Sequence, residues 1–457
     1  MPRARHRLAL IALLTMMAFS ARAENLQELY QAGLAYDASF LSARASLDAA
    51  QYRLDQVYAL RRPSVGLTVS GLRQISNTPD ASTQSANTTQ YAATVSGSQS
   101  LFNRANDKTI TQAEKALEVA RADYSVAEQD LIIRVSQAYF DVLAAQDTLA
   151  TARSSMAAIS EQVASAKRNF EVGTANITDT REAQARYDLA RATEIVADND
   201  LTNKRIALDQ LVGRVNIQPK QLAVPVKLPP VVPSVLEDWV ARADAEHPLV
   251  RKARLGLEVA QLETEKAKAG HLPTVSVGAS VSRGHSSTSG DVFLSPPSVP
   301  AGAAGVYPYS STSPTSGAGV SVTLSMPLFA GYAIQNRVKE TVILEDKAQD
   351  DLAAVRRSVE QATRTSFYGV RSGAAQVSAL EAAESSSQLA LDATQLGYKV
   401  GVRVNIDVLN AQTQLFQTQR DLFKSRYDVL VGSLRLRQAS GRLTAEDVAA
   451  VNALLQR

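Results

Sequence analysis

Apolar and small residues recur along this chain at two different periods. Between Ile110 and Phe170 they fall at 110, 113, 117, 120, 124, 127 and 131, then at 135, 138, 142, 145, 149, 152, 156, 159, 163, 166 and 170. Steps of three and four alternate, with a single additional four between Leu131 and Val135. A 3.5-residue repeat predicts a long helix packed in left-handed supercoils, locally unwound at the stutter. Neither Pro nor Gly interrupts residues 103–169, so at 1.5 Å per residue the helix is expected to run about 100 Å. A partner helix over 330–396 keeps the phase less cleanly. Val338, Leu352, Val355, Val370, Val377 and Leu391 stand beside Ser366, Gly373 and Ser387, small residues that suit close neighbours.

The second period is two. Residues 64–73, 91–100, 274–283 and 317–326 alternate apolar with small or polar side chains, so that Val65, Leu67 and Val69 share a face, as do Val275, Val277, Ala279 and Val281, and Val320, Val322, Leu324 and Met326. At about ten residues each, these strands match the length of a tilted membrane-crossing β-strand. A small soluble four-stranded sheet fits the same alternation. The Ser, Thr, Asn, Gly and Pro of residues 75–90 and 284–316 predict surface loops, and Pro63, Pro273 and Pro327 sit where helix gives way to strand or the reverse. Four strands cannot close a barrel, and an open edge in lipid leaves backbone groups unsatisfied at several kcal/mol each. Either the strands are not membranous or several chains share one barrel.

The pattern is built twice. Residues 397–412, GYKVGVRVNIDVLNAQ, repeat residues 169–184, NFEVGTANITDTREAQ, at an offset of 228, with Gly173 on Gly401, Asp179 on Asp407 and Gln184 on Gln412. Offsets of 210 to 228 also place Pro63 on Pro273, Leu101-Phe102 on Leu328-Phe329, Tyr139-Phe140 on Phe367-Tyr368 and Gly213-Arg214 on Gly441-Arg442. Each half should therefore read short helix, strand, polar loop, strand, very long helix, breaker, medium helix. The first repeat is expected over 24–213 and the second over 236–441. Between them the five prolines of residues 214–235 mark a linker, and residues 442–457 form a C-terminal segment.

Residues 1–23 carry Arg3, Arg5 and Arg7, a short apolar run over 8–19 and Ala21-Arg22-Ala23, the plan of a secretory signal peptide cleaved after Ala23. No later stretch is long and apolar enough for a membrane helix. The formal charge of +3 belongs to that leader, which holds four arginines and no acid, and removing it leaves 44 basic against 45 acidic residues. A basic nucleic-acid surface is therefore not expected. Cysteine is absent, so packing and not disulfides must hold the exported protein. His247, His271 and His285 are far apart, without the i+3 or i+4 partner of a metal site. No nucleophile elbow, phosphate loop or dinucleotide fingerprint occurs. Neither a cofactor, a metal nor an enzymatic activity is expected.

From ENLQELYQAGLAYDASF through GHLPTVSVGAS and SMPLFAG to GYKVGVRVNIDVLNAQT, the mature sequence resembles the TolC family of outer-membrane channel-tunnels. The resemblance implies a mainly α protein with a membrane β-barrel part: a homotrimer whose twelve-stranded β-barrel continues into a twelve-helix α-barrel, with the linker and the C-terminal segment in an equatorial region. It implies an exit duct in the Gram-negative outer membrane, embedded in lipid and projecting into the periplasm. The partners it implies are a periplasmic adaptor and an inner-membrane pump, driven by protons or by ATP. By the same resemblance, Tyr398 and Arg403 match a lock at the periplasmic entrance, and Thr178 and Asp179 its acceptors. Asp407 matches a constriction ring, in which Asn410 replaces a second aspartate. Val172, Gly173, Thr174, Val400, Gly401 and Val402 match adaptor-docking tips. The alternative is a non-conducting periplasmic coiled-coil scaffold or adhesin.

Overall fold

The computed structural model describes residues 24–77, 83–174, 176–223, 225–226, 228–295 and 297–455. The leader expected over 1–23 lies outside them. The first repeat consists of α1 (Leu26–Tyr36), α2 (Ala38–Tyr58), a 3-10 turn at Ala59–Arg61, β1 (Ser64–Asn77), β2 (Thr83–Phe102), α3 (Arg104–Glu171) and α4 (Ile177–Val212). The second follows as α5 (Leu236–Glu246), α6 (Pro248–Ala269), β3 (Thr274–Leu294), β4 (Gly305–Ser325), α7 (Ala333–Lys399) and α8 (Asn405–Ala439), before a last helix, α9 (Ala445–Asn452). Where a single short helix was expected at the start of each repeat there are two. The break at Asp37 is a cap: its carboxylate accepts from the Phe40 N–H at 2.8 Å and takes two bonds from Arg134 at 2.8 and 2.9 Å. His247 makes the equivalent break, its Nδ1 accepting from the Leu249 N–H at 3.1 Å.

The chain divides into two compact units that cut across the duplication. One holds Asp48–Glu118 and Leu255–Asp350, the other Met1–Leu47, Val119–Arg254 and Asp351–Arg457. Each unit thus contains corresponding parts of both repeats.

In the first of these units the four strands form one antiparallel sheet in the order β1-β2-β3-β4. Directly opposed residues share a face, so the register builds apolar rows: Val65, Gly97, Ala279 and Val320, then Leu67, Val95, Val281 and Ala318. Val275 opposite Leu324 and Val277 opposite Val322 continue the band downward. The other face carries Thr68, Thr94, Ser282 and Gly317 in one row and Ser64, Ser98, Gly278 and Ser321 in another. The segments expected as polar loops are mostly strand. β3 and β4 pair without interruption to Leu294 opposite Gly305, and β1 pairs to Asn77 opposite Ser85. Ladder bonds use the backbone, so pairing outlasts the apolar alternation, and hydroxyl pairs such as Thr88–Thr288 at 3.2 Å support it. In the same unit Arg61 pairs with Asp107 at 2.9 Å, and Arg337 with Glu263 at 2.7 Å.

The second unit is helical. The predicted seam of α3 is observed from residue 119 onward: Leu131, Val135, Val142, Ala145, Leu149, Ala152, Ile159, Val163 and Ala166 are all buried, and Phe170 at the helix end is exposed. Around the stutter the helix is buried on several sides at once, because Ile132, Tyr139, Phe140 and Leu143 join the core with Leu26 and Leu29 of α1, Leu208 of α4 and Leu430 of α8. The proline linker crosses this core. Glu24 bridges to Pro219 and Leu222 to Leu455, and the Tyr139 hydroxyl donates to the Lys220 carbonyl at 2.9 Å. By contrast α7 leaves Leu389 and Leu396 exposed, and α4 leaves Leu189 and Val196 exposed. No helix among the described residues is long and apolar enough to cross a membrane.

Candidate functional site

The two turns between long and medium helices have the same backbone. After α3, the Thr174 N–H bonds the Asn169 carbonyl at 2.8 Å and the Gly173 N–H bonds the Phe170 carbonyl at 3.0 Å. After α7, the Val402 N–H bonds the Gly397 carbonyl at 2.9 Å and the Gly401 N–H bonds the Tyr398 carbonyl at 3.1 Å. Both are Schellman motifs, which need a left-handed residue just past the helix. Gly173 and Gly401 supply it, at φ of 77° and 83°. The sequence folds this way because glycine reaches that region without a Cβ penalty. The following helices start differently. Asn176 caps α4 by accepting from the Thr178 N–H, whereas Val404 ahead of α8 offers no side-chain cap.

Side chains join the two hairpins. The Asn169 amide donates to the Tyr398 hydroxyl at 3.1 Å, and Arg186 on α4 donates to the Asn410 carbonyl on α8 at 3.1 Å. Beneath them Leu409 packs with Ile159, Val163, Ala166 and Ala183, while Val408, Leu391 and Leu415 make a second apolar cluster that Tyr398 covers. Asn405 and Gln412 are buried within the same region.

Within one chain, then, the lock suggested by the resemblance is distributed otherwise. Tyr398 bonds Asn169, and Arg403 lies 3.5 Å from Asp407, four residues on along its own segment. Neither Thr178 nor Asp179 bonds Tyr398 or Arg403; the Asp179 N–H is taken by the Asn176 carbonyl at 3.1 Å. Asp407 is half-buried and Asn410 exposed, its carbonyl turned to Arg186. Val172, Thr174, Val400 and Val402 are exposed at the turns. Asn169 and Arg186 were not singled out from sequence. Asn169 opens the repeated segment and stands over Gly397, which has no side chain to make the same bond.

The model of the outer membrane efflux protein family matches residues 29–214 and again residues 239–442, one span in each repeat. Outer membrane protein TolC of Vibrio cholerae is 30% identical over 440 residues, covering 95% of this chain and 94% of the relative. The alkaline protease secretion protein AprF of Pseudomonas aeruginosa is 29% identical over 375 residues, covering 79% of this chain and 72% of the relative. The crystal structure of the Campylobacter jejuni CmeC outer membrane channel superimposes with a TM-score of 0.75 at 15% identity, covering 95% of this chain and 90% of that one. These matches do not favour the scaffold or adhesin alternative. The chain belongs to the outer membrane efflux protein family, with a TolC-type fold, and it is an exit duct of the Gram-negative outer membrane for efflux and secretion.

Proposed function

We propose that three copies of this chain enclose one channel, and that the two glycine turns of each copy form its gate. What chiefly supports the trimer is the sheet. Its outer strands β1 and β4 each present an unpaired edge, of 14 and 21 residues. In lipid such an edge is untenable unless a second copy completes it. Joining β4 of one copy to β1 of the next closes twelve strands, with the apolar rows outward and the Ser/Thr rows lining the pore. The exposed leucines and valine on α4 and α7 are covered by neighbouring helices in the same arrangement.

At the turns, the Arg403 guanidinium pairs with Asp407 of its own chain, and Thr178 is exposed. In the trimer Arg403 and Tyr398 reach Thr178 and Asp179 of a neighbouring copy, and Asp407 forms a ring on the axis. Polar bonds of this kind contribute about 0.5–3 kcal/mol each, enough to favour closure and still permit opening. A periplasmic adaptor docks on the turns at Val172, Gly173, Thr174, Val400, Gly401 and Val402. Because the duct has no energy source of its own, an inner-membrane pump drives small molecules or proteins into it, and pump and adaptor select the cargo.

Processed protein extracted in detergent should migrate as a trimer before boiling and conduct ions in planar bilayers. Tyr398→Phe combined with Arg403→Ala should raise the single-channel conductance. Unchanged conductance argues against the lock, and a lipid-indifferent monomer argues against the duct.

A further inference from the structure

The charged residues of the sheet are few and lie on one side. Its strands contain Arg73, Arg283, His285 and Asp291 and no other charged or histidine residue. Register places all four on the face of the apolar rows: Val69 opposes Ala93 and Ala93 opposes Arg283, while Gly71 opposes Tyr91 and Tyr91 opposes His285. Arg73 lies two residues beyond Gly71 on the same face. The Ser/Thr face has no charge at all.

Distance along the strands locates these residues in a membrane. Val275, at the lower end of the band, and Arg283 are eight residues apart, about 27 Å along a strand and about 21 Å along the bilayer normal at a 40° tilt. Tyr91 and His285 are one row further, at about 26 Å. A lipid-facing band is about 25 Å tall and ends in aromatic residues. Tyr91 is such a residue, so Arg283 and Arg73 bracket the upper boundary between acyl chains and headgroups.

An arginine on the lipid face is costly at mid-depth and far less so near an interface, where its charged head can reach the polar layer. Both guanidinium groups are exposed, and neither has a hydrogen-bond or ion-pair partner among the described residues. Arg61, below the other end of the band, is by contrast neutralised by Asp107 at 2.9 Å. A guanidinium fork fits two phosphate oxygens at once.

We infer that Arg73 and Arg283 form an outward-facing site for the phosphate groups of outer-leaflet lipid headgroups, seated on the upper rim of the apolar band. The inference rests on the barrel reading above, because only a closed barrel turns this face to lipid. The site holds the barrel at its depth by charge where the apolar band stops holding it by solvation, and it acts on phosphate carried by acyl chains that pack along Val281 and Val69.

The test is native mass spectrometry of the detergent-extracted, processed protein titrated with diphosphorylated lipid A, with phosphatidylcholine, and with inorganic phosphate. Lipid A should bind in preference to phosphatidylcholine, and Arg73→Gln with Arg283→Gln should weaken it at least fivefold, with Arg61→Gln leaving it unchanged. Arg283→Gln alone should give a partial loss, which serves if the double variant does not assemble. Equal lipid A binding by wild type and variants overturns the inference, as does equal binding of phosphatidylcholine or of free phosphate. Planar-bilayer conductance separates the two readings. Conducting protein whose lipid A binding ignores these arginines refutes the site alone, whereas protein that never conducts refutes the barrel beneath it.

Discussion

Tyr427 donates its hydroxyl to Asp147, a carboxylate that burial pushes above its ordinary range despite that bond and the nearby Arg426. Asp37 is its opposite: the hydrogen bonds from Arg134 pull it below the usual value against the desolvation it suffers. The two therefore act on stability with opposite sign. Asp37 stabilises the fold above the unfolded carboxylate range, near pH 4, and that contribution is lost as the pH falls through its depressed value. Asp147 stabilises the fold most when protonated, and its contribution is lost as the pH rises through its raised value. Asp147→Asn keeps an acceptor for Tyr427 and removes the buried charge. It should raise the thermal unfolding midpoint at pH 7, with the gain shrinking towards pH 4. A lower midpoint at pH 7 would show that the charge-assisted bond outweighs burial. None of this was legible along the chain. Asp37 and Asp147 look like any helix-surface aspartate, and their difference comes from Arg134, 97 residues away, which lowers the one, and from burial, which raises the other.

At the scale of elements, four glycines end helices in the left-handed conformation in two matched pairs, Gly173 with Gly401 and Gly213 with Gly441. Their surroundings separate them. A Cβ on Gly173 or Gly401 meets nothing within 4 Å, whereas one on Gly441 comes within 2.5 Å of the His247 backbone, and one on Gly213 strikes the Tyr36 ring. Gly401→Ala should cost only the left-handed penalty, about 1–2 kcal/mol, seen as faster amide exchange confined to the turn. Gly441→Ala carries the same penalty plus a clash with backbone that cannot move aside. It should lower assembled protein and unfolding midpoint far more, and equal effects of the two would contradict this account. Glycine position and helix period were readable in the sequence because each is a local demand on backbone or face. Strand length was not. Residues 284–294 and 305–316 lack the apolar alternation, yet they pair in full register once the hairpin has started.

For the whole molecule, the proposed pore is expected to discriminate among ions at its gate and not along the sheet. The sheet face assigned to the lumen has serine, threonine and glycine but no charge, so it offers ions a neutral wall. At the gate proposed above the candidate is Asp407, and Asn410 beside it adds no charge and is engaged by Arg186. Three carboxylates on an axis attract cations and repel anions. Asp407→Asn should therefore move the reversal potential under a potassium chloride gradient towards zero, with little change in channel size. A variant that keeps wild-type cation selectivity would place the filter elsewhere.

The sequence by itself determined the duplication, the order of helices and strands, the heptad seam with its stutter, and the glycine turns. Each of these is written in periods of two or 3.5 and in backbone preferences that act within a few residues. Only the tertiary structure decided which polar groups meet at the turns, where Asn169 takes Tyr398 and Arg186 takes Asn410. It also decided that every charge on the sheet shares the apolar face, and that the proline linker runs between Glu24 and Leu455. Such pairings depend on strand register and on contacts between residues hundreds of positions apart. A residue's own type and its near neighbours do not encode them, because the same asparagine or arginine satisfies its hydrogen bonds with whatever the fold brings within about 3 Å.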